Sequence, residues 1–356
     1  MNFRKDLIAE LIARGHKVIA VAPDMDTETA ARLVGLGAEA RRVAFSRTGM
    51  NPLADALGVF RLWRFLKNTK PDALVAYTAK PVAYGLIAAR IAGLKHACGM
   101  ITGLGFAFTD GGGARRKIAR FAVIPLLRLA LPTAHRLVFQ NDDDLAVFRQ
   151  LGLLGQNQVV AIVNGSGVNI HEFEETPLPE AAVFLMIARL LGDKGTREFA
   201  AASRLLREKF PAAKTRLVGW LDSSPDSVRQ EELDQWIQEG IEFLGKLGDV
   251  RPAIAGSSAV VLPSYREGTP RSVLEGMAMG RAIVTTDAPG CRLTVEQGVN
   301  GLKVPARTVA PLAEAMMKLA GDAALRQRMG KASRSRAESL YESKAVAKAT
   351  ADGLDL

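Results

Sequence analysis

The sequence has little of what several large classes of protein require. Its 356 residues include only two cysteines, Cys98 and Cys291, each in an apolar stretch, so a small disulfide-stabilised fold is excluded. No apolar run approaches the roughly 18 residues that a membrane-spanning helix needs. The sequence also lacks an internal repeat of solenoid length, a Gly-x-Ser-x-Gly motif, a Walker A motif and a recognisable nucleic-acid-binding module. What remains is a globular chain of about two domains, at roughly 150 residues per domain.

The net charge and the cysteine content of the chain indicate which binding partners and which cellular compartment to expect. Lysine and arginine number 47 against 37 acidic residues, which gives a formal net charge of +10. A basic chain favours anionic partners, namely nucleic acid, a phosphorylated ligand or an acidic membrane surface, and the missing nucleic-acid module argues against the first. Residues 1–15 carry charges throughout and no apolar segment, so we expect no signal peptide. With two reduced cysteines, this predicts a cytoplasmic protein.

Short apolar runs alternate with amphipathic segments along the whole chain. This alternation is typical of βα units, and it predicts an α/β fold with parallel sheets. The predicted strands are Lys17–Ala22, Ala73–Tyr77, Ala97–Thr102, Arg136–Gln140, Val159–Val163, Val183–Ala188, Thr215–Gly219, Ile241–Leu244, Ala259–Pro263 and Ile283–Thr286. Helical periodicity fills the intervals between them.

The best candidate for a domain boundary is the segment Asn164-Gly-Ser-Gly-Val168. Three small residues after a strand suit a hinge between two Rossmann-like domains, although a simple left-handed turn is the alternative. We predict domains at residues 1–165 and 166–356. The chain opens on an amphipathic helix, whereas a doubly wound domain ordinarily opens with a strand and a glycine-rich turn. Either the domain starts in an unusual way or a first strand of about ten residues is missing, and we expect the N-terminal domain to lack that strand.

Residues 262–280 carry the most informative pattern. A strand pattern ends at Pro263, and Thr269 and Pro270 are residues that favour a helix start. Glu267 is therefore expected in the loop above the carboxyl end of a strand. Open α/β sheets bind their ligands at that edge.

Glu275 follows eight residues later, inside the predicted helix. The exposed backbone amides of Arg271 and Ser272 at the helix start suit a phosphate, whereas the flanking carboxylates suit hydroxyl groups. Phosphate and several hydroxyls together describe a nucleotide sugar. The alternative is an acidic helix start that is stabilised by the helix dipole.

A second pattern, residues 188–195, follows the first strand of the predicted second domain. Arg189 and Lys194 bracket a tight loop there, so both cations could converge on a diphosphate. Taken alone, this is more often a solvated basic loop. The combination with the Glu267 segment favours the phosphate interpretation.

These motifs resemble the retaining glycosyltransferases of family 4, which have the GT-B fold of two Rossmann-like domains facing across a cleft. The resemblance covers nearly the whole chain. It is carried by Arg189 with Lys194-Gly195, by Glu267-x7-Glu275 with Gly268, by Gly165-Ser-Gly-Val-Asn169 and by Glu242-Phe-Leu-Gly245.

The resemblance implies roles for individual residues. Arg189 and Lys194 would bind the donor diphosphate and Glu267 the transferred sugar, and these three form the predicted catalytic set. Glu275 would bind the ribose hydroxyls, and the loop at Phe243 and Leu244 would lie near the base. The complete predicted donor-binding set is Glu275, Gly268, Thr269, Arg271, Ser272, Phe243 and Leu244.

Within the family, two segments resemble the branch that extends polyprenyl-diphosphate-linked sugars in bacterial glycan assembly: Thr102-Gly-Leu-Gly-Phe-Ala-Phe108 and residues 217–225. That branch commonly uses UDP-N-acetylhexosamines. One departure from the family is that the strand end at Ile101-Thr102-Gly103 lacks the histidine that many members place near the reacting carbon of the donor.

A basic segment precedes an apolar one at residues 113–131. Such a helix can lie among lipid headgroups and meet the diphosphate of a lipid acceptor. The predicted acceptor and membrane residues are Arg115, Arg116, Lys117 and Arg120. The alternative is an ordinary packed helix with a solvated basic end.

We predict no metal and no cofactor. Two Asp-x-Asp patterns, at Asp24–Asp26 and Asp142–Asp144, are explained better by helix caps than by metal binding. The four histidines, His16, His96, His135 and His171, show no ligand spacing along the chain.

The leading hypothesis is a UDP-sugar-dependent hexosyltransferase. It would move N-acetylhexosamine to a polyprenyl-diphosphate-linked saccharide for surface polysaccharide, O-antigen or glycoprotein glycan, at the inner face of the cell membrane. A UDP-sugar epimerase of the same architecture is one alternative. A catalytically inactive protein that binds sugar nucleotides is another.

Overall fold

The computed structural model describes residues 4–46, 52–103, 123–222, 224 and 226–356. The chain divides into two compact units, one formed by Met1–Ser166 with Lys344–Leu356 and the other by Gly167–Ser343. The first break lies one residue after the predicted boundary. Residues 344–356 were predicted to lie in the second domain, but they belong to the first unit.

The last helix, α12 (Ser343–Leu354), explains this difference. Its Ala347, Ala351 and Leu354 are buried in one apolar cluster with Cys98 and Val138 of the first unit. The sequence pattern marks such a helix as amphipathic but does not say which sheet receives its apolar face.

The first unit is an α/β structure with parallel strands. Four strands, β3 to β6, form one sheet in sequential order, and β1 pairs in parallel with β2. The strands are β1 Ile19–Ala22, β2 Glu39–Arg42, β3 Ala73–Tyr77, β4 His96–Ile101, β5 Arg136–Phe139 and β6 Val159–Ile162. The helices are α1 Lys5–Ala13, α2 Thr27–Gly35, α3 Pro52–Thr69, α4 Ala79–Ala92 and α5 Asp142–Gln150.

Helix caps account for the two aspartate patterns. Asp26 accepts a 2.6 Å hydrogen bond from the backbone N–H of Thr29 at the start of α2. Asn141 caps α5 by accepting from the backbone N–H of Asp144, and Asp142–Asp144 form the first turn of that helix. Acidic side chains at these positions stabilise the positive end of the helix dipole.

The second unit contains a parallel sheet of six strands in the order β12-β11-β10-β7-β8-β9. The strands are β7 Val183–Ile187, β8 Lys214–Val218, β9 Ile241–Gly245, β10 Ala259–Leu262, β11 Ala282–Thr286 and β12 Gly301–Val304. The helices are α6 Thr196–Lys209, α7 Gln230–Gln238, α8 Arg251–Ala255, α9 Arg271–Ala278, α10 Val309–Gly321 and α11 Ala323–Leu340. The fully buried strand β10, Ala-Val-Val-Leu, is a continuous apolar run, as expected for a sheet covered on both faces.

The strand order of this sheet reverses between β7 and β10. From β7 the chain proceeds outward through β8 and β9, and then returns to β10 on the other side of β7. In open α/β sheets the crevice outside the carboxyl ends of the strands at such a reversal is the ligand site. The topology therefore points to the loops after β7 and β10.

Gly167 lies where the second unit begins. Its φ of +68° is in the left-handed region, and a Cβ there would lie 2.6 Å from the Cα of Ser343. Backbone hydrogen bonds join Val168 N to Tyr341 O at 2.7 Å and Ser343 N to Val168 O at 3.0 Å. Glycine is required at 167 because both the conformation and the close approach exclude a side chain.

None of the described helices combines the length and apolar content that a bilayer crossing needs.

Candidate active site

The loops that follow β7 and β10 meet at the point where the strand order reverses. The backbone N–H of Tyr265 donates to the carbonyl of Asp193 at 2.9 Å, and the Ser264 hydroxyl donates to the same carbonyl at 3.1 Å. Gly195 permits the approach, because its φ is +71° and a Cβ there would lie 2.2 Å from the carbonyl oxygen of Pro263. The two sequence patterns, residues 188–195 and residues 262–280, thus form one surface.

At this surface Lys194 and Glu267 form an ion pair. The Nζ of Lys194 lies 2.6 Å from Oε1 of Glu267, and the two side chains are 15% and 19% exposed. The same carboxylate oxygen lies 3.0 Å from Oγ of Ser264 and is an alternative acceptor for the single proton of that hydroxyl. The structure therefore brings together two residues of the predicted catalytic set, which lie 73 positions apart in the chain.

The electrostatics of the pair keep the lysine charged. Burial lowers the pKa of Lys194, but the charges of Glu267 and Asp193 and the hydrogen bond to Glu267 outweigh it, so the pKa lies above its usual value. Burial raises the pKa of Asp193, against the opposing charge of Lys194. Oδ1 of Asp193 is buried and has no hydrogen-bond partner among the described residues. The charge of the lysine is thus stabilised by two carboxylates in a partly desolvated loop.

Arg189 has a different immediate partner. Its Nη1 lies 3.1 Å from Oδ2 of Asp222, in the loop after β8, and its side chain is 49% exposed. Its charge still lowers the pKa of Asp193, although burial has the larger and opposite effect. The side chain thus lies at the same end of the sheet, paired at an exposed position.

The helix that follows the Glu267 loop, α9, carries Glu275. Oε1 of Glu275 accepts a 2.7 Å bond from Nε of Arg271, and the two side chains are 11% and 21% exposed. Burial raises the pKa of Glu275, whereas the charge of Arg271 lowers it. Gly268 is buried, and Thr269 and Ser272 are half-buried at the start of α9. The predicted donor-binding residues of this segment therefore surround one helix N-terminus.

Phe243 and Leu244 lie at the carboxyl end of β9. Leu217 pairs with Phe243 and Val218 pairs with Gly245, so Leu244 is the extra residue of a β-bulge. The bulge leaves Leu244 38% exposed, while Phe243 packs against the core of the unit. Trp220, in the neighbouring loop, is 43% exposed, with Nζ of Lys246 5.2 Å from its ring centre. An apolar rim thus borders this end of the sheet.

Sequence reasoning missed three contributors to the site: Asp193, Ser264 and Pro289. The carbonyl of Pro289, in the loop after β11, accepts from the backbone N–H of Glu267 at 3.0 Å and so holds the Glu267 loop. Each of the three lies within a few residues of a strand's carboxyl end, which is the signal that could have found them. The predicted acceptor and membrane residues Arg115, Arg116, Lys117 and Arg120 lie outside the described residues.

Comparison with protein families gives two matches along the chain. Residues 3–165 match the model described as "Glycosyl transferase 4-like domain", and residues 181–322 match "Glycosyl transferases group 1". Together the two models cover most of the chain.

Two curated relatives carry specific names. The chain is 29% identical over 344 residues to a Campylobacter jejuni N,N'-diacetylbacillosaminyl-diphospho-undecaprenol alpha-1,3-N-acetylgalactosaminyltransferase, an alignment that covers 93% of this chain and 89% of the relative. It is 24% identical over 285 residues to an Escherichia coli UDP-Gal:alpha-D-GlcNAc-diphosphoundecaprenol alpha-1,3-galactosyltransferase, with coverage of 77% and 72%. Both relatives are named as glycosyltransferases.

Solved structures agree on the fold. Anabaena HepE in complex with UDP and glucose superposes with a TM-score of 0.77 at 17% identity, covering 99% of this chain and 95% of that one. WaaG, a glycosyltransferase of lipopolysaccharide biosynthesis, superposes with a TM-score of 0.73 at 16% identity, covering 99% and 94%. The matched family models, the named relatives and this shared fold establish that the chain belongs to the group 1, family 4 glycosyltransferases of GT-B fold.

Proposed function

We propose that this protein is a retaining glycosyltransferase that moves N-acetylhexosamine from a UDP-sugar to a hydroxyl of a polyprenyl-diphosphate-linked saccharide. The product would be an intermediate of surface polysaccharide, O-antigen or glycoprotein glycan. The observation that carries the proposal is the Lys194–Glu267 pair at the reversal point of the six-stranded sheet.

The pair supplies the two kinds of contact that a nucleotide sugar needs. The ammonium group of Lys194 attracts a diphosphate, and the carboxylate of Glu267 accepts hydrogen bonds from sugar hydroxyls. Glu275, eight residues later and inside α9, would accept from the ribose hydroxyls. A donor that engages all three residues would lie along the carboxyl ends of β7 and β10.

The relatives support the chemical classes of donor and acceptor. The name of the Escherichia coli relative specifies a UDP-hexose donor, and that of the Campylobacter jejuni relative specifies transfer of N-acetylgalactosamine. Both names specify a saccharide linked through diphosphate to undecaprenol as the acceptor. We propose the same acceptor class for this chain.

Charge stabilisation is the main catalytic effect that these residues would supply. As the glycosidic bond to UDP breaks, negative charge develops on the leaving diphosphate, and Lys194, Arg189 and the backbone amides at the start of α9 would stabilise it. A phosphate oxygen of the departing UDP would take the proton of the acceptor hydroxyl on the same face of the sugar. Because the acceptor attacks from the face that UDP leaves, the anomeric configuration is retained, and Glu267 would orient the sugar without forming a covalent bond to it.

The epimerase alternative is not favoured, because the named relatives are transferases. The inactive alternative rests on the histidine that the strand end at Ile101-Thr102-Gly103 lacks. Transfer to an acceptor would exclude both alternatives.

Calorimetric titration with UDP, GDP and ADP tests the donor site. We expect selective binding of UDP, weakened about tenfold or more by Glu275→Ala and by Arg189→Ala, because each removes a hydrogen-bonding or charged partner of the ligand. Arg204→Ala is the matched control, since Arg204 is exposed on α6. Equal binding of all three nucleotides, or unchanged binding by both variants, would contradict the assignment.

We also propose peripheral contact with the anionic inner face of the cell membrane. The net charge of +10 and a lipid-linked acceptor support this contact. The contacting residues would be Arg115, Arg116, Lys117 and Arg120.

Sedimentation with vesicles tests the membrane contact. Replacing those four residues by alanine is expected to lower binding to anionic vesicles by up to about 10³, because each basic residue contributes about 1 kcal/mol and about 1.4 kcal/mol is a factor of ten. The control replaces four exposed basic residues of the second unit and so removes the same charge: Arg204, Lys209, Lys214 and Lys331. An equal loss in both variants would show that total charge, not this segment, governs binding.

A further inference from the structure

Two of the four histidines come together in the first unit, far from each other in sequence. His96 is the first residue of β4, and His135 immediately precedes β5, its neighbour in the sheet. Their ring centres lie 4.2 Å apart, with the planes tilted by 41°. The pair therefore lies where these two strands begin, and ligands of such sheets bind where the strands end.

The segment after α12 brings a carboxylate to the same place. Oδ2 of Asp355 lies 3.4 Å from Nε2 of His135, and one ligand atom from each of His96, His135 and Asp355 lies within 4.8 Å of the others. Asp355 has a φ of +66°, the left-handed conformation that commonly ends a helix and that aspartate tolerates.

From this cluster we propose that His96, His135 and Asp355 form a binding site for a divalent transition-metal ion of the zinc class. Two imidazoles and one carboxylate are ligands that zinc prefers, and three protein ligands leave a position for water. Tetrahedral ligands at about 2.0–2.1 Å from zinc lie about 3.4 Å from one another, so the cluster needs only side-chain adjustment to close.

The surroundings suit such a site. Nη2 of Arg136 lies 3.1 Å from Oδ1 of Asp355. This contact orients the carboxylate so that its other oxygen, Oδ2, faces His135. Carboxylate ligands of metal ions are commonly held in this way by a second hydrogen bond. His135 and Asp355 are 40% and 52% exposed, so an ion has an open path to the site.

Nε2 of His96 lies 3.1 Å from the carbonyl oxygen of Leu354, so the end of α12 contacts both strands. A bound ion would add a bond between this helix end and the starts of β4 and β5. The metal would therefore have a structural role within the first unit, stabilising the position of α12. It would take no part in sugar transfer, which the proposed function assigns to the second unit.

Titration of the full chain with Zn²⁺, and with Co²⁺ as a spectroscopic probe, tests the site. We expect one saturable ion per chain, visible d–d absorption from bound Co²⁺, and a rise in the unfolding temperature with Zn²⁺. His96→Gln, His135→Gln and Asp355→Asn should each weaken binding at least tenfold and remove the thermal shift. His16→Gln and His171→Gln are matched controls, because both histidines are exposed.

Thermal unfolding of each variant without metal shows whether weaker metal binding is caused by a loss of folding. Asp355→Asn changes an exposed residue, so it still tests the site if a histidine variant does not fold. Absence of saturable binding to the wild-type chain would overturn the proposal. Binding that the His16 or His171 variants weaken as much as the His135 variant would also overturn it, because the ion would then be held by surface histidines in general. Neither result would bear on the donor site, which nucleotide titration measures separately.

Discussion

Replacing Lys194 by alanine is expected to lower the turnover number for sugar transfer by about 10²–10³, the usual effect of removing one charge-stabilising donor from an active site. The ammonium group lies at the reversal point of the sheet, and its raised pKa keeps it charged at neutral pH. Its loss would remove one of the cations that we propose to stabilise the developing diphosphate charge. Steady-state rates with a UDP-sugar and a lipid-linked acceptor measure the effect.

Lys214→Ala is the matched control for this variant. Lys214 is an exposed lysine of the same unit, at the amino end of β8 and so at the opposite edge of the sheet. We expect its turnover to match that of the wild type. A near-normal turnover number for Lys194→Ala would contradict the proposal that Lys194 binds the donor diphosphate.

The fall in turnover number of Lys194→Ala must also be distinguished from a loss of folding. Lys194→Ala leaves the carboxylate of Glu267 partly buried without its cation, which destabilises the site. The double variant Lys194→Met with Glu267→Gln removes both charges and should recover most of the unfolding temperature. Because it does not restore the cation, it should recover no turnover.

Replacing Arg281 by methionine is expected to lower the free energy of unfolding of the second unit by about 3–5 kcal/mol. Arg281 is fully buried between the site helix α9 and strand β11. Its guanidinium donates to the carbonyls of Ile254 at 2.9 Å, Thr176 at 2.7 Å and Ala255 at 3.1 Å. Methionine fills much of the volume but leaves these buried carbonyls without donors.

Thermal unfolding measures this loss. At about 2–4 °C per kcal/mol for a domain of this size, the unfolding temperature should fall by about 10 °C. Arg204→Met is the control, since Arg204 is exposed on α6, and it should change stability by less than about 0.5 kcal/mol. Equal losses in the two variants would mean that the hydrogen bonds of Arg281 contribute little.

Burial lowers the pKa of Arg281 to about 10, against the charge of Glu175. The guanidinium is therefore still protonated at neutral pH and can donate through all of its nitrogens. Arg281→Lys should recover only part of the stability, because an ammonium group cannot reproduce the planar geometry of five donors.

Most strands follow from local sequence. All ten predicted strands are present, each with ends within about two residues of the prediction, because buried parallel strands read as short apolar runs. The two strands that were not predicted are β2, Glu-Ala-Arg-Arg, and β12, Gly-Leu-Lys-Val. Both are four residues long and lack an apolar run, and pairing with β1 and β11 makes them strands.

The site was predictable in position but not in its contacts. Lys194 and Glu267 follow recognisable strand ends, so both were expected at one edge of a sheet. Arg189 was expected to act together with Lys194, yet it pairs with Asp222, because the loop after β8 supplies a carboxylate that no motif marked.

The α/β class, the positions of most strands, the family and the loops that carry the proposed donor-binding residues follow from local sequence, because each of these depends on neighbours within one element. The tertiary structure decided which distant residues meet. Lys194 meets Glu267, His96 meets His135, and α12 returns to the first unit. Such contacts depend on the order of strands and on which apolar faces pack together, and a linear pattern of residues does not encode that order.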